Sequence, residues 1–474
     1  MKNFFKTIEI IKFFFKNSYK LLGKNYQKDY LKLSFLMVIG VLAEFLNVAL
    51  ILPLISLIVD NSYNDYFKYF IFIDSQNKKD LIIFFSISFF IVFIVRTIFL
   101  IYLNYKKHNF ISSLKIFLSS SYFKIFFSRD YIDQIKKNSS VNLRTVQYDI
   151  SQFCSGVIMP IMDIILEFGI FLILIILLAL YDLNLTIISF FIFFLSACTY
   201  LFFTKIIIKK ISKDRIQNET NRIKVLTESK NLIREIILNS KLNYFLNQFN
   251  VSNEKLHKSI RDQGIIQSSV RYLFEVIIIL TIFVFIYLYL NSLNYSNERL
   301  IISIGILVVI LLKITPSIQK IIIAINSLIY SKPAMDNVFN QFTSLQNYKK
   351  KKRFFNNNTS NDNNFKINSI KLKNIYFNYS GDKKDLISNF SLVIKNKGLL
   401  GIFGVSGSGK TTLIDLLSGL LKPTKGQVLI NDQDLEKNLE TYYNKIAYIP
   451  QDIYLFEDTL KKNIIFEENI DEKK

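Results

Sequence analysis

Residues 404–411 read Gly-Val-Ser-Gly-Ser-Gly-Lys-Thr and satisfy the spacing GxxxxGK[ST]. Gly404, Gly407 and Gly409 let the backbone turn so that successive N–H groups point inward and surround phosphate oxygens. Lys410 has the charge and reach for the β and γ phosphates of a nucleoside triphosphate, and the Thr411 hydroxyl is a ligand for Mg²⁺. Ser406, Ser408 and Thr412 complete the set expected to touch the nucleotide. The apolar stretch GLLGIFG is expected to run as a strand directly into the loop. The apolar run LIDLLSGLL leaves it as a helix whose positive end adds to the phosphate site. A GTP-binding reading would need a guanine-specifying NKxD after the loop. The match, Asn77-Lys78-Lys79-Asp80, precedes it, which excludes that reading.

A second group of candidate residues lies far upstream. Glu44, Arg96, Asp163, Glu167, Glu275 and Lys313 interrupt long apolar runs. An ionisable group in hydrocarbon costs on the order of 3 kcal/mol on insertion scales, so such groups face a bundle interior or a wet cavity. One reading is a polar lining for a translocation path, with Glu44 and Arg96 the leading candidates and Arg96 able to meet an anionic substrate. The other is mutual ion pairing that locks the bundle. For Asp163, Glu275 and Lys313, near span ends, interfacial exposure also competes. Cys154 and Cys198 sit at or within apolar spans with no CxxC, and His108 and His257 stand singly, so neither a disulfide framework nor a zinc site is expected.

The elements that must position these residues follow from the clustering of apolar side chains. The 474-residue chain is 51% hydrophobic, with 45 Phe. Windows long enough to cross a bilayer occur near 33–59, 81–104, 156–181, 184–207, 272–291 and 300–326. The third and fourth form a hairpin around Asp182-Leu183-Asn184. The net charge of +22 resides mainly in segments between the spans, 1–30, 105–150 and 208–271. Positive-inside counting therefore places both termini and the nucleotide loop in the cytoplasm, and the same clustering argues against nucleic-acid binding. Lys6, Lys12, Lys16 and Lys20, set among Phe and Ile, suit an interfacial amphipathic helix over 1–30 or a solvated arm. The long middle loops carry helical patterning and are expected to reverse through short transverse segments near 138–146 and 226–238. The predicted organisation is an interfacial segment (1–30), a six-span membrane domain (31–335), a linker (336–365) containing KKKKRFFNNNTSNDNN, and a nucleotide domain (366–474) opening with the strands IKLKNIYFNY and SLVIKN.

The span arrangement, the linker and GVSGSGKTTLIDLLSGLLKPTKGQVLIND together resemble an ABC exporter half-transporter, its membrane domain fused ahead of its ATP-binding domain. The fold class this implies is an α-helical membrane bundle of six spans with long cytoplasmic extensions, followed by a partial α/β P-loop domain. The resemblance implies ATP and Mg²⁺ as cofactors. It matches Tyr379, in YFNYSGDKK, to the aromatic that stacks on adenine. It matches Gln451, in IAYIPQDIYLFEDTLKKNI, to the glutamine that joins Thr411 in the metal shell. It also gives the transverse segments a role in contacting the ATP domains. LAEFLNVALILPLISLI, FIVRTIFLIYLNY, VRYLFEVIII and LLKITPSIQKI are similar to flippases for lipid-linked oligosaccharides in bacterial glycan assembly. That similarity implies an amphiphilic glycolipid substrate, with Arg96 a pyrophosphate contact, and a multi-pass protein of the bacterial inner membrane.

The family pattern continues past the glutamine through an LSGGQ signature, an apolar strand ending in Asp-Glu, and a switch histidine. No SGGQ occurs among these 474 residues, and no His follows His257. Glu457, Glu467 and Glu468 follow no apolar strand, so no catalytic carboxylate is assigned. Three expectations result: a truncated transporter, an ATP-binding half completed by a second chain, or a membrane protein that binds nucleotide without hydrolysing it. A homodimer is implied by the family's need for two membrane halves. A partial domain is further expected to leave a parallel sheet with an exposed edge.

Overall fold

The computed structural model describes residues 23–50, 78–127, 130–136, 139–181, 183–290, 297–348, 365–379, 385–451 and 453–464, together with Phe14, Ile51 and Leu54. Of the expected interfacial segment 1–30, residues 1–22 other than Phe14 lie outside the described residues, as do most of the 60–80 loop, apart from 78–80, and the run 349–364, whereas 24–30 belong to a helix. The chain divides into two compact units, Met1–Phe127 with Lys137–Asn347, and Ser128–Lys136 with Tyr348–Lys474.

The first unit is helical. Its principal elements are α1 (Lys24–Ala49), α2 (Lys78–Phe127), α6 (Met159–Tyr181), α7 (Leu183–Asn231), α9 (Leu242–Leu290) and α10 (Asn297–Tyr348). They include the six helices long and apolar enough to cross a membrane. About 20 residues suffice for a crossing, so α2, with 50 residues, and α7 and α9, with 49 each, run on well past hydrocarbon. The burial pattern explains the packing. In α1 the buried side is Leu33, Met37, Gly40, Val41, Glu44, Asn47 and Val48, a stripe at helical spacing. Small residues bring helices together: a Cβ on Gly169 of α6 would lie 2.7 Å from Val41 Cγ2.

The path into α6 is irregular. It begins as α4 (Ser139–Arg144), passes through a π segment (Thr145–Asp149), the single turn α5 (Ile150–Phe153) and a second π segment (Cys154–Ile158), then enters α6. The first reversal therefore does not lie at 138–146. That stretch is the returning rod, held inward by Ser140 and Thr145, both buried. The transverse piece is α3 (Tyr131–Lys136), opened by Asp130, whose carbonyl accepts from the Asp133 and Gln134 amides. The second reversal is α8 (Ile233–Leu238), inside the expected 226–238 window. Helix α10 contains Pro316 and Pro333 and continues through 336–348, the beginning of the segment expected as linker.

The second unit is built on a four-stranded sheet in the order β2-β1-β3-β4, from β1 (Ser369–Phe377), β2 (Ile387–Lys395), β3 (Lys425–Ile430) and β4 (Gln433–Asp434). Every pairing is antiparallel. This corrects the expectation of a parallel sheet. The physical reason lies in GLLGIFG: residues 398–404 are extended but enter no ladder, and Leu399 and Phe403 stand 102% and 95% exposed. A strand needs a neighbour, and among the described residues none lies beside this one. Against the sheet pack α11 (Lys410–Leu417) and α12 (Leu439–Tyr443), burying Leu372, Ile375, Phe377, Leu416, Val428 and Ile430. The closest backbone approach is at Gly426, φ 87°, where a Cβ would lie 2.2 Å from Asn374 O. A short helix, α13 (Leu460–Ile464), follows.

Candidate functional site

The phosphate loop hands directly into α11, and its shape rests on two glycines. Gly407 and Gly409 have φ of 79° and 91°, in the left-handed region. A Cβ at Gly407 would meet open space, so the backbone angle rather than crowding demands glycine there. Gly409 caps α11 with no side-chain bond, leaving the first helical amides and their partial positive charge directed outward. The Ser408 amide closes the loop on Val405 O at 3.2 Å. Lys410 Nζ donates to Gly404 O and Val405 O, 2.8 Å each. The ammonium is thus folded over the loop, and a charge-assisted bond to a phosphate oxygen is about twice as strong as one to a neutral carbonyl.

The neighbouring side chains divide into free and committed groups. Ser406, Ser408 and Thr411 are exposed, and the Thr411 hydroxyl makes no hydrogen bond among the described residues. Thr412 is buried and shares a 3.1 Å hydrogen bond with the Tyr379 hydroxyl. Tyr379, packed edge-on against Phe377 at 5.1 Å, is thereby held beside the phosphate helix. Gln451 is exposed after Pro450 and makes no hydrogen bond among the described residues. The donor set of loop amides, Nζ and helix end fits a triphosphate. Among the described residues no group of three or more His, Cys, Asp or Glu could hold a metal, so Mg²⁺ would arrive with the phosphates and meet Thr411.

Asp415 lies three residues after Thr412 and so on the same face of α11. It is 5% exposed, and its Oδ1 has no hydrogen-bond partner among the described residues. Burial pushes its carboxyl above the ordinary range, against a hydrogen bond from Tyr448 that works the other way. Sequence reasoning missed this residue; its signal was a single acid in the apolar run LIDLLSGLL.

Comparison with known proteins covers this same region. Residues 387–474 match the ABC transporter domain. A 103-residue segment is 45% identical to an export ATP-binding/permease protein of Rickettsia typhi, covering 21% of this chain and 18% of that protein. Over 99 residues the chain is 41% identical to ATP-dependent lipid A-core flippase 2 of Colwellia psychrerythraea, 21% of this chain and 17% of the relative. The lipid A-core flippase of Wigglesworthia glossinidia brevipalpis is 35% identical over 98 residues, 20% and 17% of the two chains. The match spans less than a fifth of each relative. Ahead of it stand six membrane-length helices. These parts, in this order, are similar to an ABC exporter half-transporter.

Within the helical bundle the interrupting charges meet one another. Glu44, 3% exposed, accepts from Arg96 and from Lys313 Nζ, the latter at 3.2 Å. Both cations also lie over the Phe93 ring, at 5.8 and 6.0 Å. Their side chains remain 20% and 27% exposed. Asp163 pairs with Lys107, and Glu167 with Lys320 at 2.5 Å. Glu275 pairs with Arg271 one turn away at 2.9 Å, both well exposed. Mutual pairing therefore describes Asp163 and Glu167, and surface exposure describes Glu275. The Glu44 set differs, because one carboxylate serves two cations and a positive charge is left over. Lys313 completes it, a role that its place near a span end did not reveal.

Proposed function

We propose that the half-transporter uses ATP and Mg²⁺, held by Gly404–Thr412 with Tyr379 under the base, to drive an amphiphile with an anionic head across the bacterial inner membrane. In this reading both termini and the nucleotide unit lie in the cytoplasm, and the substrate is a lipid-linked oligosaccharide or another glycolipid. The observation that carries the substrate class is the Glu44–Arg96–Lys313 set: two cations against one carboxylate, partly exposed, at a depth where an unmatched positive charge is expensive. A phosphate or pyrophosphate head would neutralise it. The names of the two flippase relatives point to the same class. In this reading Gln451 joins Thr411 in the metal shell.

The working assembly contains two membrane halves, either two copies of this chain or one copy with a second chain that covers the exposed apolar segments of the nucleotide unit. The 474 residues hold no SGGQ and no Asp-Glu after an apolar strand. The purified chain accordingly binds ATP and hydrolyses it at background rate, since phosphoryl transfer depends on groups that position water and stabilise charge.

The test is binding in lipid nanodiscs of a polyisoprenyl diphosphate carrying a short saccharide. The Arg96→Ala/Lys313→Ala double variant should lose at least tenfold in affinity, while Arg271→Ala, an exposed control, should lose nothing. Equal affinity of the wild type and the double variant, or no binding of any anionic amphiphile by the wild type, would remove the reading.

A further inference from the structure

Helix α7 has two faces of different chemistry. Its inner face is tied to α10: the Thr204 hydroxyl donates to Asn326 Oδ1 at 3.4 Å, and the Ser212 hydroxyl donates to Tyr330 O. Between these bonds Ile208 and Ile211 are buried in one cluster with Ile325. At 3.6 residues per turn, that packing turns Leu195, Phe202 and Ile206 outward in a single column. All three are exposed, at 53%, 48% and 68%. The column ends in lysine. Lys209, Lys210 and Lys213 are exposed and fall within roughly 100° of arc on the same side of the helix. Ile206 and Lys209 are less than one turn apart. The apolar window of α7 closes near residue 207, so these cations stand where hydrocarbon gives way to headgroups. Further along α7 the cations are matched, Arg215 with Glu219 at 3.6 Å and Lys224 with Glu228 at 3.7 Å. Lys209, Lys210 and Lys213 have no ion pair among the described residues, and Asp214, the next residue, falls outside their arc.

We propose that this face of α7 is a binding site for an anionic phospholipid, whose acyl chains lie along Leu195, Phe202 and Ile206 and whose phosphate is held by Lys209, Lys210 and Lys213. A cluster of unmatched cations in one arc calls for a counter-charge, and a zwitterionic lipid brings no net charge to it. Each lysine near a membrane surface is worth about a fivefold preference for anionic lipid. A free phosphate would engage the lysines and leave the apolar column idle, whereas a lipid uses both. The assignment rests on α7 as a membrane span. It is independent of the proposed substrate site, whose cations are Arg96 and Lys313.

Photochemical labelling tests it. The full chain in phosphatidylcholine nanodiscs receives a trace of phosphatidylglycerol with a photoactivatable acyl chain, and label on residues 195–206 is quantified by mass spectrometry. The wild type should take up more of this label than of the matching phosphatidylcholine probe. Lys209→Gln/Lys210→Gln/Lys213→Gln should lower the phosphatidylglycerol label at least tenfold and leave the phosphatidylcholine label unchanged. Lys395→Gln/Lys397→Gln/Lys445→Gln removes the same charge from exposed positions of the nucleotide unit and should stay within twofold of the wild type. A wild type without preference, an unchanged first triple variant, or equal loss in both triple variants would overturn the site. At constant ionic strength, unlabelled phosphatidylglycerol should displace the probe and inorganic phosphate should not. Displacement by phosphate would make the lysines an anion site and overturn the lipid assignment. Stronger displacement by a polyisoprenyl diphosphate than by phosphatidylglycerol would give the face to the substrate and overturn it equally.

Discussion

Phe35, Val38, Leu42 and Leu46 stand exposed along one side of α1, and Leu399, Phe403, Ile449 and Tyr454 stand exposed in the nucleotide unit. The first set recurs every three or four residues, opposite a buried stripe, and its solvent is lipid, where an exposed Leu costs nothing. The second set lies in segments without regular secondary structure, at 398–405, 446–450 and 453–455. In water, apolar surface costs roughly 25 cal/mol per Å². GLLGIFG is apolar on both faces, the composition of a strand covered from both sides. Equal exposure therefore has opposite meanings: a finished surface in the bundle and an uncovered one in the nucleotide unit. Polar groups reverse the pattern. The bundle sets its buried carboxylates Glu44, Asp163 and Glu167 against cations, whereas the loop keeps Lys410, Thr411 and the α11 amides available.

The sharpest way to test that reversal is to remove one group of each kind. Lys410→Ala deletes a cation aimed at phosphate. ATP affinity should fall on the order of a hundredfold, measured by equilibrium titration, with no loss of folded stability, because its two bonds are to loop carbonyls on the surface. Glu44→Ala does the opposite. It leaves Arg96 and Lys313 facing each other without a counter-charge and should destabilise the bundle by about 2–4 kcal/mol, the lower part of the range for a broken buried pair because both cations retain solvent contact. Thermal unfolding in detergent reads it. A Glu44→Ala variant of unchanged stability would mean that the pair is not structural.

Steric tests come next. Gly169→Ala places a Cβ 2.7 Å from Val41, and Gly156→Ala one at 2.1 Å from Ser331 Oγ. Each should cost about 1–3 kcal/mol through overpacking, with Gly156 the worse. Gly407→Ala meets no atom, and its cost is confined to the left-handed angle, about 1 kcal/mol.

The helical unit was legible in sequence because lipid imposes a simple rule, about 20 apolar residues per crossing. The phosphate loop was legible because its spacing is dictated by phosphate geometry. The first turn-round was not. Polar 138–146 looked like the break, whereas residues 139–146 are helical and Ser140 and Thr145 are buried. Hydropathy cannot separate a polar residue that caps a helix from one buried in a hydrogen-bonded network. GLLGIFG misled in the same way: its composition specifies a central strand, but pairing depends on neighbours that composition does not supply. Asp415 was invisible because a single acid in an apolar run carries no signal of the packing that buries it.

Asp415 supplies a pH-dependent test of the nucleotide unit. Its folded carboxyl is raised by burial, so between the ordinary value of 3.8 and that raised value the native state holds more protons than the unfolded chain. Stability contributed by this group is present below 3.8 and is lost as pH rises through the folded value. Asp415→Asn should therefore unfold at a higher temperature than the wild type at neutral pH, and the difference should close toward pH 4. A gap that is independent of pH would show that the carboxyl titrates alike in the native and unfolded chains, so that burial does not raise it.

The smallest effect belongs to Phe403→Ser, and it probes the comparison directly. A buried Phe cut back to a small side chain typically costs 3–5 kcal/mol. With Phe403 95% exposed and outside the unit's core, the change should stay within about 0.5 kcal/mol. What should change is self-association: light scattering of the purified chain should fall, because one of the largest uncovered apolar groups beside the loop has become polar. A loss of several kcal/mol would place Phe403 in a packed core and erase the contrast between the two surfaces. Unchanged stability with reduced association would show that segment 398–405 is folded as far as this chain folds it, and that its apolar faces await a covering layer of polypeptide rather than lipid.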